Sequence, residues 1–135
     1  MAEGAGRAPL SVFLITRDEE ARLGRTLAAV APVADQIVVV DSGSTDRTVE
    51  IARAAGAELH HRDWEGYGPQ KAFAEGLCRH DWLLNLDADE EPSAALAEEI
   101  RALLAGGPPP GAWRLRILTV YPGEPRPRPL ADDYE

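Results

Sequence analysis

The chain has 135 residues, 44% of them hydrophobic, which indicates one globular domain and excludes an intrinsically disordered protein. Its formal net charge of −9 argues against nucleic acid as a partner, because a phosphate backbone needs a basic footprint. The single cysteine, Cys78, cannot form an internal disulfide, and no apolar run approaches the roughly 20 residues that span a bilayer. We therefore predict a cytoplasmic protein, with peripheral contact at the inner face of the membrane left open.

Strands and helices are predicted to alternate along the chain. The predicted strands cover residues 10–15, 36–40, 57–60, 82–86 and 112–120, and a helix follows each of the first four. Thr16 and Glu19 have the spacing of a capping box, which predicts that the first helix opens there. This alternation predicts an α/β fold with a mostly parallel sheet and helices on both faces.

Three regions are expected from composition. We assign residues 1–9 as a disordered N-terminus, residues 10–120 as the α/β domain, and residues 121–135 as a proline-rich, acidic tail without a packed element.

The apolar strand 82–86 ends abruptly in acidic residues, Asp87, Asp89, Glu90 and Glu91. Two aspartates separated by one residue can place both carboxylates near one point, and Mg²⁺ or Mn²⁺ often uses such ligands together with substrate phosphates. The same acids can instead serve only as charges at the start of the next helix.

Polar residues follow several predicted strands. Parallel strands bring their carboxyl ends to one edge of a sheet, where ligands bind in open α/β folds. The pattern therefore predicts that Thr16, Asp41, His60 or His61, and Asp87 converge at this edge.

The segment from Asp41 to Asp46, Asp-Ser-Gly-Ser-Thr-Asp, combines an acid, small residues and a helix start. Gly43 lets a ligand approach the backbone, the helix N-terminus offers N–H groups to an anion, and Asp41 has acceptors for a nucleoside. A turn followed by a helix cap explains the same residues. Lys71, at the start of a helix predicted over 70–79, is placed either to reach a diphosphate or to lie in solvent.

Four segments occur in a familiar order: Ser11 to Glu20 (SVFLITRDEE), Ile37 to Thr48 (IVVVDSGSTDRT), Gly66 to Lys71 (GYGPQK) and Leu84 to Glu90 (LNLDADE). Across roughly residues 10–104 they resemble the N-terminal half of a family 2 glycosyltransferase, in particular its lipopolysaccharide-core glucosyltransferase-like branch. The resemblance implies a nucleotide-diphospho-sugar transferase (GT-A) fold. It also implies transfer of a sugar, with inversion, from a nucleotide-diphospho-sugar donor to a saccharide or lipid-linked acceptor.

The resemblance also implies roles for individual residues. Thr16 lies at the edge of the nucleotide site and Asp41 binds the nucleoside. Asp87 and Asp89 form a D-x-D pair that meets ribose, diphosphate and Mg²⁺ or Mn²⁺, with Asp89 as the direct metal ligand. Lys71 stands near the position where many relatives carry an arginine that contacts the donor, and it is expected to substitute for that residue.

The family's catalytic base and acceptor-binding residues lie in a second half, and residues 121–135 contain no recognisable equivalent. The catalytic residue is therefore left unassigned, and the chain is expected to be a fragment, a truncated gene product or a donor-binding remnant. Two alternatives stay open: a non-catalytic nucleotide-binding or interaction module with the same fold, and a nucleotidyltransferase.

Overall fold

The computed structural model describes residues 7–106, 118–119 and 128–129. Its main sheet has four parallel strands in the order β3-β2-β1-β4. The strands are β1 (Leu10–Thr16), β2 (Gln36–Asp41), β3 (Glu58–His61) and β4 (Trp82–Asn85). The helices that alternate with them are α1 (Leu23–Val30), α2 (Thr48–Ala54), α3 (Tyr67–Gly76) and α4 (Ala94–Ala105).

The central strands contribute to two separate cores because successive side chains of a strand point to opposite faces of the sheet. Leu14 and Val39 pack on one face with buried residues of α1, α2 and α4. Phe13 and Val38 pack on the other face with Ala74 of α3. Helices cover both faces, and the predicted α/β fold is confirmed.

The start of the first helix differs from the prediction. Thr16 is the last residue of β1, and α1 begins only at Leu23, so the predicted capping box is wrong. The Thr16 hydroxyl donates to the carboxylate of Asp41, while the Glu19 N–H donates to Thr48 Oγ1 at 2.8 Å. Contacts between loops that are distant in sequence therefore override the local capping signal.

The third helix also begins earlier than predicted. It runs from Tyr67 to Gly76 instead of over residues 70–79. Gly66 precedes it with a φ of 117°, a conformation that other residues rarely adopt. This glycine turns the chain into the helix ahead of Pro69.

At both ends of the chain the structure describes a few residues that have partners. Arg7, in the segment expected to be disordered, donates to the carbonyl of Val33 at 3.1 Å and pairs with Asp35 at 2.9 Å. A two-residue strand, β5 (Leu118–Thr119), falls at the end of the predicted last strand. It pairs antiparallel with β6 (Arg128–Pro129), which was not predicted. The other residues of 1–6, 112–120 and the tail lie outside the described residues.

A bilayer crossing needs a longer and more apolar helix than any that the described ranges contain.

Candidate donor-binding site

The carboxyl ends of the parallel strands bring the predicted site residues to one edge of the sheet. Thr16 pairs in register with Asp41 across β1 and β2. On the other side of β1, the Leu86 N–H donates to the Phe13 carbonyl at 3.1 Å, and Asp87 follows directly. The predicted convergence of these strand ends is confirmed.

The carboxylate of Asp41 is enclosed by its own chain, with only 3% of the residue exposed. Its Oδ1 accepts from the hydroxyls of Thr16, at 2.8 Å, and Ser44. Its Oδ2 accepts from the N–H groups of Gly43, at 3.0 Å, and Ser44, at 2.8 Å. Burial raises the pKa of Asp41, but the hydrogen bonds from Ser44, Thr16 and Gly43 outweigh burial and lower the pKa below its ordinary value of 3.8. The ionised carboxylate thus fixes the turn that follows β2.

Two loops at this edge, residues 17–22 after β1 and residues 42–47 after β2, are joined by side-chain to backbone hydrogen bonds. We call them the interlocked loops. The bonds run in both directions: Thr45 N–H to Asp18 (2.8 Å), Arg47 N–H to Glu20 (3.2 Å), Asp18 N–H to Ser44 (2.8 Å) and Glu20 N–H to Asp46 (3.2 Å). Asp18 adopts a positive φ of 52°, a conformation that aspartate tolerates better than most residues. The reciprocal bonds hold both loops in one arrangement.

Four N–H groups at and just before the N-terminus of α2 already have acceptors. The N–H groups of Ser44, Thr45, Arg47 and Thr48 donate to carboxylates of the chain itself. A phosphate at this helix would have to displace four negatively charged groups. These carboxylates therefore disfavour an anion at the start of α2.

The acidic residues after β4 have different surroundings. Residues 87–90, the D-x-D turn, are closed by a hydrogen bond from the Glu90 N–H to the Asp87 carbonyl at 2.9 Å. Ala88, in the middle, is buried, and its carbonyl accepts from the Thr26 hydroxyl at 2.8 Å. The side chains of Asp87 and Asp89 are 57% and 55% exposed. The hydrogen bond from Thr26 thus fixes the backbone of the turn, while both carboxylates face solvent.

One cationic side chain stands beside each aspartate of the D-x-D turn. Lys71 Nζ lies 3.7 Å from Asp87 Oδ1, and Lys71 is in the second turn of α3. Arg22 Nη1, just ahead of α1, lies 3.8 Å from Asp89 Oδ2. Lys71 is predicted from the sequence and Arg22 is not, because nothing in the local sequence shows that α1 borders this turn.

The donor set of the D-x-D turn fits a hard divalent cation in part. Two exposed carboxylates suit Mg²⁺ or Mn²⁺ when phosphate oxygens and water supply the remaining ligands. In the part of the chain that the structure describes, no group of three or more His, Cys, Asp or Glu side chains gathers as a metal cluster. Asp87 and Asp89 therefore fit a site that the bound substrate completes.

Solved structures share this fold. Glucosyl-3-phosphoglycerate synthase from Mycobacterium tuberculosis, in complex with Mn²⁺, uridine diphosphate and glucosyl-3-phosphoglycerate, is similar with a TM-score of 0.55 and 28% identity, over 64% of this chain and 35% of that one. Mannosyl-3-phosphoglycerate synthase from Rubrobacter xylanophilus has a TM-score of 0.56 and 29% identity, over 61% of this chain and 31% of that one. The predicted GT-A fold is confirmed.

Relatives in sequence cover more of the chain. An uncharacterized glycosyltransferase of Rickettsia bellii is 43% identical over 124 residues, 90% of this chain and 42% of that protein. The lipopolysaccharide core biosynthesis glycosyltransferase LpsC of Rhizobium meliloti is 40% identical over 114 residues, 81% of this chain and 42% of that protein. The chain thus spans less than half the length of these relatives. The family model for glycosyl transferase family 2 matches residues 11–120, and the chain belongs to this family, as the resemblance predicted.

Proposed function

We propose that this chain is the donor-binding part of a glycosyltransferase that takes a sugar from a nucleotide-diphospho-sugar. The observation that carries the proposal is the D-x-D turn, whose exposed carboxylates lie at the same sheet edge as Asp41 with a cation on either side. Family membership and the nucleotide complexes of the structural relatives support it.

In this proposal the two aspartates and Lys71 have separate tasks. Asp87 and Asp89 hold Mg²⁺ or Mn²⁺, with Asp89 as the direct ligand, and Asp87 also meets the donor. A bound divalent cation neutralises the charge that develops on the leaving nucleoside diphosphate. Lys71, whose ammonium group already lies 3.7 Å from Asp87, reaches the diphosphate from the side of α3. The M. tuberculosis relative was solved with Mn²⁺ and with Mg²⁺, which supports this choice of ions.

The nucleoside is proposed to bind against the interlocked loops. Thr16 and Asp41 shape this part of the edge. Because both carboxylate oxygens of Asp41 accept hydrogen bonds from the chain, a nucleoside contact from Asp41 must share or replace one of these bonds.

The acceptor is proposed to be a saccharide or a lipid-linked saccharide, and the transfer to proceed with inversion. The name of the R. meliloti relative, a lipopolysaccharide core enzyme, supports an acceptor of the cell envelope. An inverting transfer needs a base that removes the proton of the acceptor hydroxyl. The residue that serves as this base is left unassigned.

Calorimetry with uridine diphosphate tests the donor site. We expect binding in the presence of MnCl₂, little binding when EDTA replaces the metal, and at least a tenfold loss of affinity in Asp89→Asn, because one metal ligand is removed. Asp81→Asn, an exposed aspartate just before β4 and therefore at the opposite end of the sheet, is the matched control and should bind as the wild type does.

Two results would contradict the proposal: binding that EDTA does not change, or equal affinity in Asp89→Asn and the wild type. Sugar release from a panel of nucleotide-sugars, with acceptor extract added, then separates a transferase from a module that only binds nucleotide.

A further inference from the structure

Arg22 lies beside the D-x-D turn without a role in the proposed donor site. Its guanidinium is 3.8 Å from Asp89, and both side chains are more than half exposed. We infer that Arg22 is a diphosphate-binding residue that pairs with Asp89 and moves to the donor's phosphates when a divalent cation takes the carboxylate. This inference rests on the proposed function of the turn.

The backbone around Arg22 is fixed against the turn, so only its side chain needs to move. Thr26, four residues further along the chain, donates its buried hydroxyl to the carbonyl of Ala88 between the two aspartates. The Thr26 N–H donates to the Arg22 carbonyl at 3.3 Å, which places both residues on the same side of the helix. The guanidinium therefore remains within side-chain reach of any group bound at Asp89.

The pair between Arg22 and Asp89 is readily exchanged. Exposed ion pairs contribute little to stability, and a separation of 3.8 Å is long for a charge-assisted hydrogen bond. A divalent cation on Asp89 repels the nearby guanidinium, whereas a diphosphate brings negative oxygens that a guanidinium can bind through two N–H groups. Arg22 should therefore oppose the metal alone and favour the metal together with the diphosphate.

Two titrations of the full chain separate these effects. Mn²⁺ binding is followed by electron paramagnetic resonance of the free ion, and binding of uridine diphosphate is followed by calorimetry at saturating MnCl₂. We expect Arg22→Gln to bind Mn²⁺ alone about threefold more tightly, because a nearby positive charge is gone. The same variant should bind uridine diphosphate about tenfold more weakly, because a charge-assisted contact is lost.

Two further variants serve as controls for Arg22→Gln. Arg22→Lys keeps the charge but loses the paired N–H groups of the guanidinium, so its affinity for uridine diphosphate should lie between those of the wild type and Arg22→Gln. Circular dichroism of both variants controls for folding. Arg53→Gln removes an exposed arginine in the last turn of α2, at the end of that helix that lies away from the D-x-D turn, and should leave both affinities unchanged.

The opposite signs of the two effects decide the outcome. If Arg22→Gln weakens both ligands, Arg22 only holds Asp89 in place, and the inference is wrong. It is also wrong if uridine diphosphate binds Arg22→Gln and Arg53→Gln equally well. A wild-type chain that binds no nucleoside diphosphate in a panel of different bases would overturn the proposed function itself, whereas wild-type binding with an unaffected Arg22→Gln overturns this inference alone.

Discussion

Asp41 and Asp89 both follow parallel strands at one edge of the same sheet, yet their carboxylates have different surroundings. Asp41 is 3% exposed and accepts four hydrogen bonds from three neighbouring residues. The side chain of Asp89 is 55% exposed, and its recorded partner is a guanidinium 3.8 Å away. The first carboxylate is committed to the architecture of the edge, and the second is accessible to a ligand.

The difference arises from the backbone that follows each strand. After β2 the chain turns back so that the N–H groups of Gly43 and Ser44 point at the Asp41 carboxylate. After β4 the D-x-D turn buries Ala88 between its two acids, so the acids on either side face outward. Aspartates at equivalent places in a fold can therefore serve as a scaffold in one loop and as a ligand in the next.

Removal of the enclosed Asp41 carboxylate should have the largest effect on stability. Asp41→Ala leaves two hydroxyls and two N–H groups without their acceptor at a buried position, which should lower the free energy of unfolding by about 3 kcal/mol. Urea unfolding followed by circular dichroism measures the change, with the exposed Asp81→Ala as control. A cost below about 1 kcal/mol would show that Asp41 does not organise the edge.

A smaller effect is expected where the D-x-D turn meets the core. Thr26→Val keeps the side-chain shape but removes the buried hydroxyl that donates to the Ala88 carbonyl at 2.8 Å. We expect a loss of about 1–2 kcal/mol in the free energy of unfolding, because a buried carbonyl loses its donor. Thr45→Val, an exposed site in the interlocked loops, is the control in the same urea experiment.

Thr26→Val also tests whether the backbone support of the D-x-D turn affects ligand binding. If the turn is positioned by this hydroxyl, the affinity for uridine diphosphate with Mn²⁺ should fall along with stability. If the destabilised variant retains its full affinity, the two aspartates do not need the hydrogen bond from Thr26 to bind the ligand.

The sheet was predictable because its strands carry a strong local signal. Four β-branched residues, Ile37 to Val40, stand in a strand that is covered on both faces, and each acidic turn directly follows an apolar strand. The gathering of those turns at one edge follows from the parallel arrangement alone. For the same reason the sequence alone predicts that Thr16, Asp41 and Asp87 lie at one edge.

The loop contacts were not predictable because they depend on which strands become neighbours. Asp18 and Ser44 meet only because β1 lies beside β2, and the strand order cannot be read from either loop. Arg22 meets Asp89 only because α1 lies beside the D-x-D turn that follows β4. β4 is the last strand of the main sheet along the chain. The capping-box spacing of Thr16 and Glu19 misled for this reason, since their partners lie in distant loops.

Acid offers the mildest test of the same comparison, because protonation removes the charge of Asp41 but leaves the side chain in place. Its pKa in the folded chain lies below the ordinary value of 3.8, so the unfolded chain takes up the proton first as the pH falls. The stabilisation is therefore complete near neutral pH, begins to weaken below about pH 4, and is lost once the pH passes the folded pKa.

Asp41→Asn has no carboxyl group at this position and should lose less stability between pH 7 and pH 3 than the wild type. Urea unfolding of both proteins across that range measures the difference. The pKa of Asp46, which burial raises but hydrogen bonds from Thr48 lower, contributes equally to both proteins and cancels. Parallel stability curves for the two proteins would mean that ionised Asp41 gains nothing from its four donors.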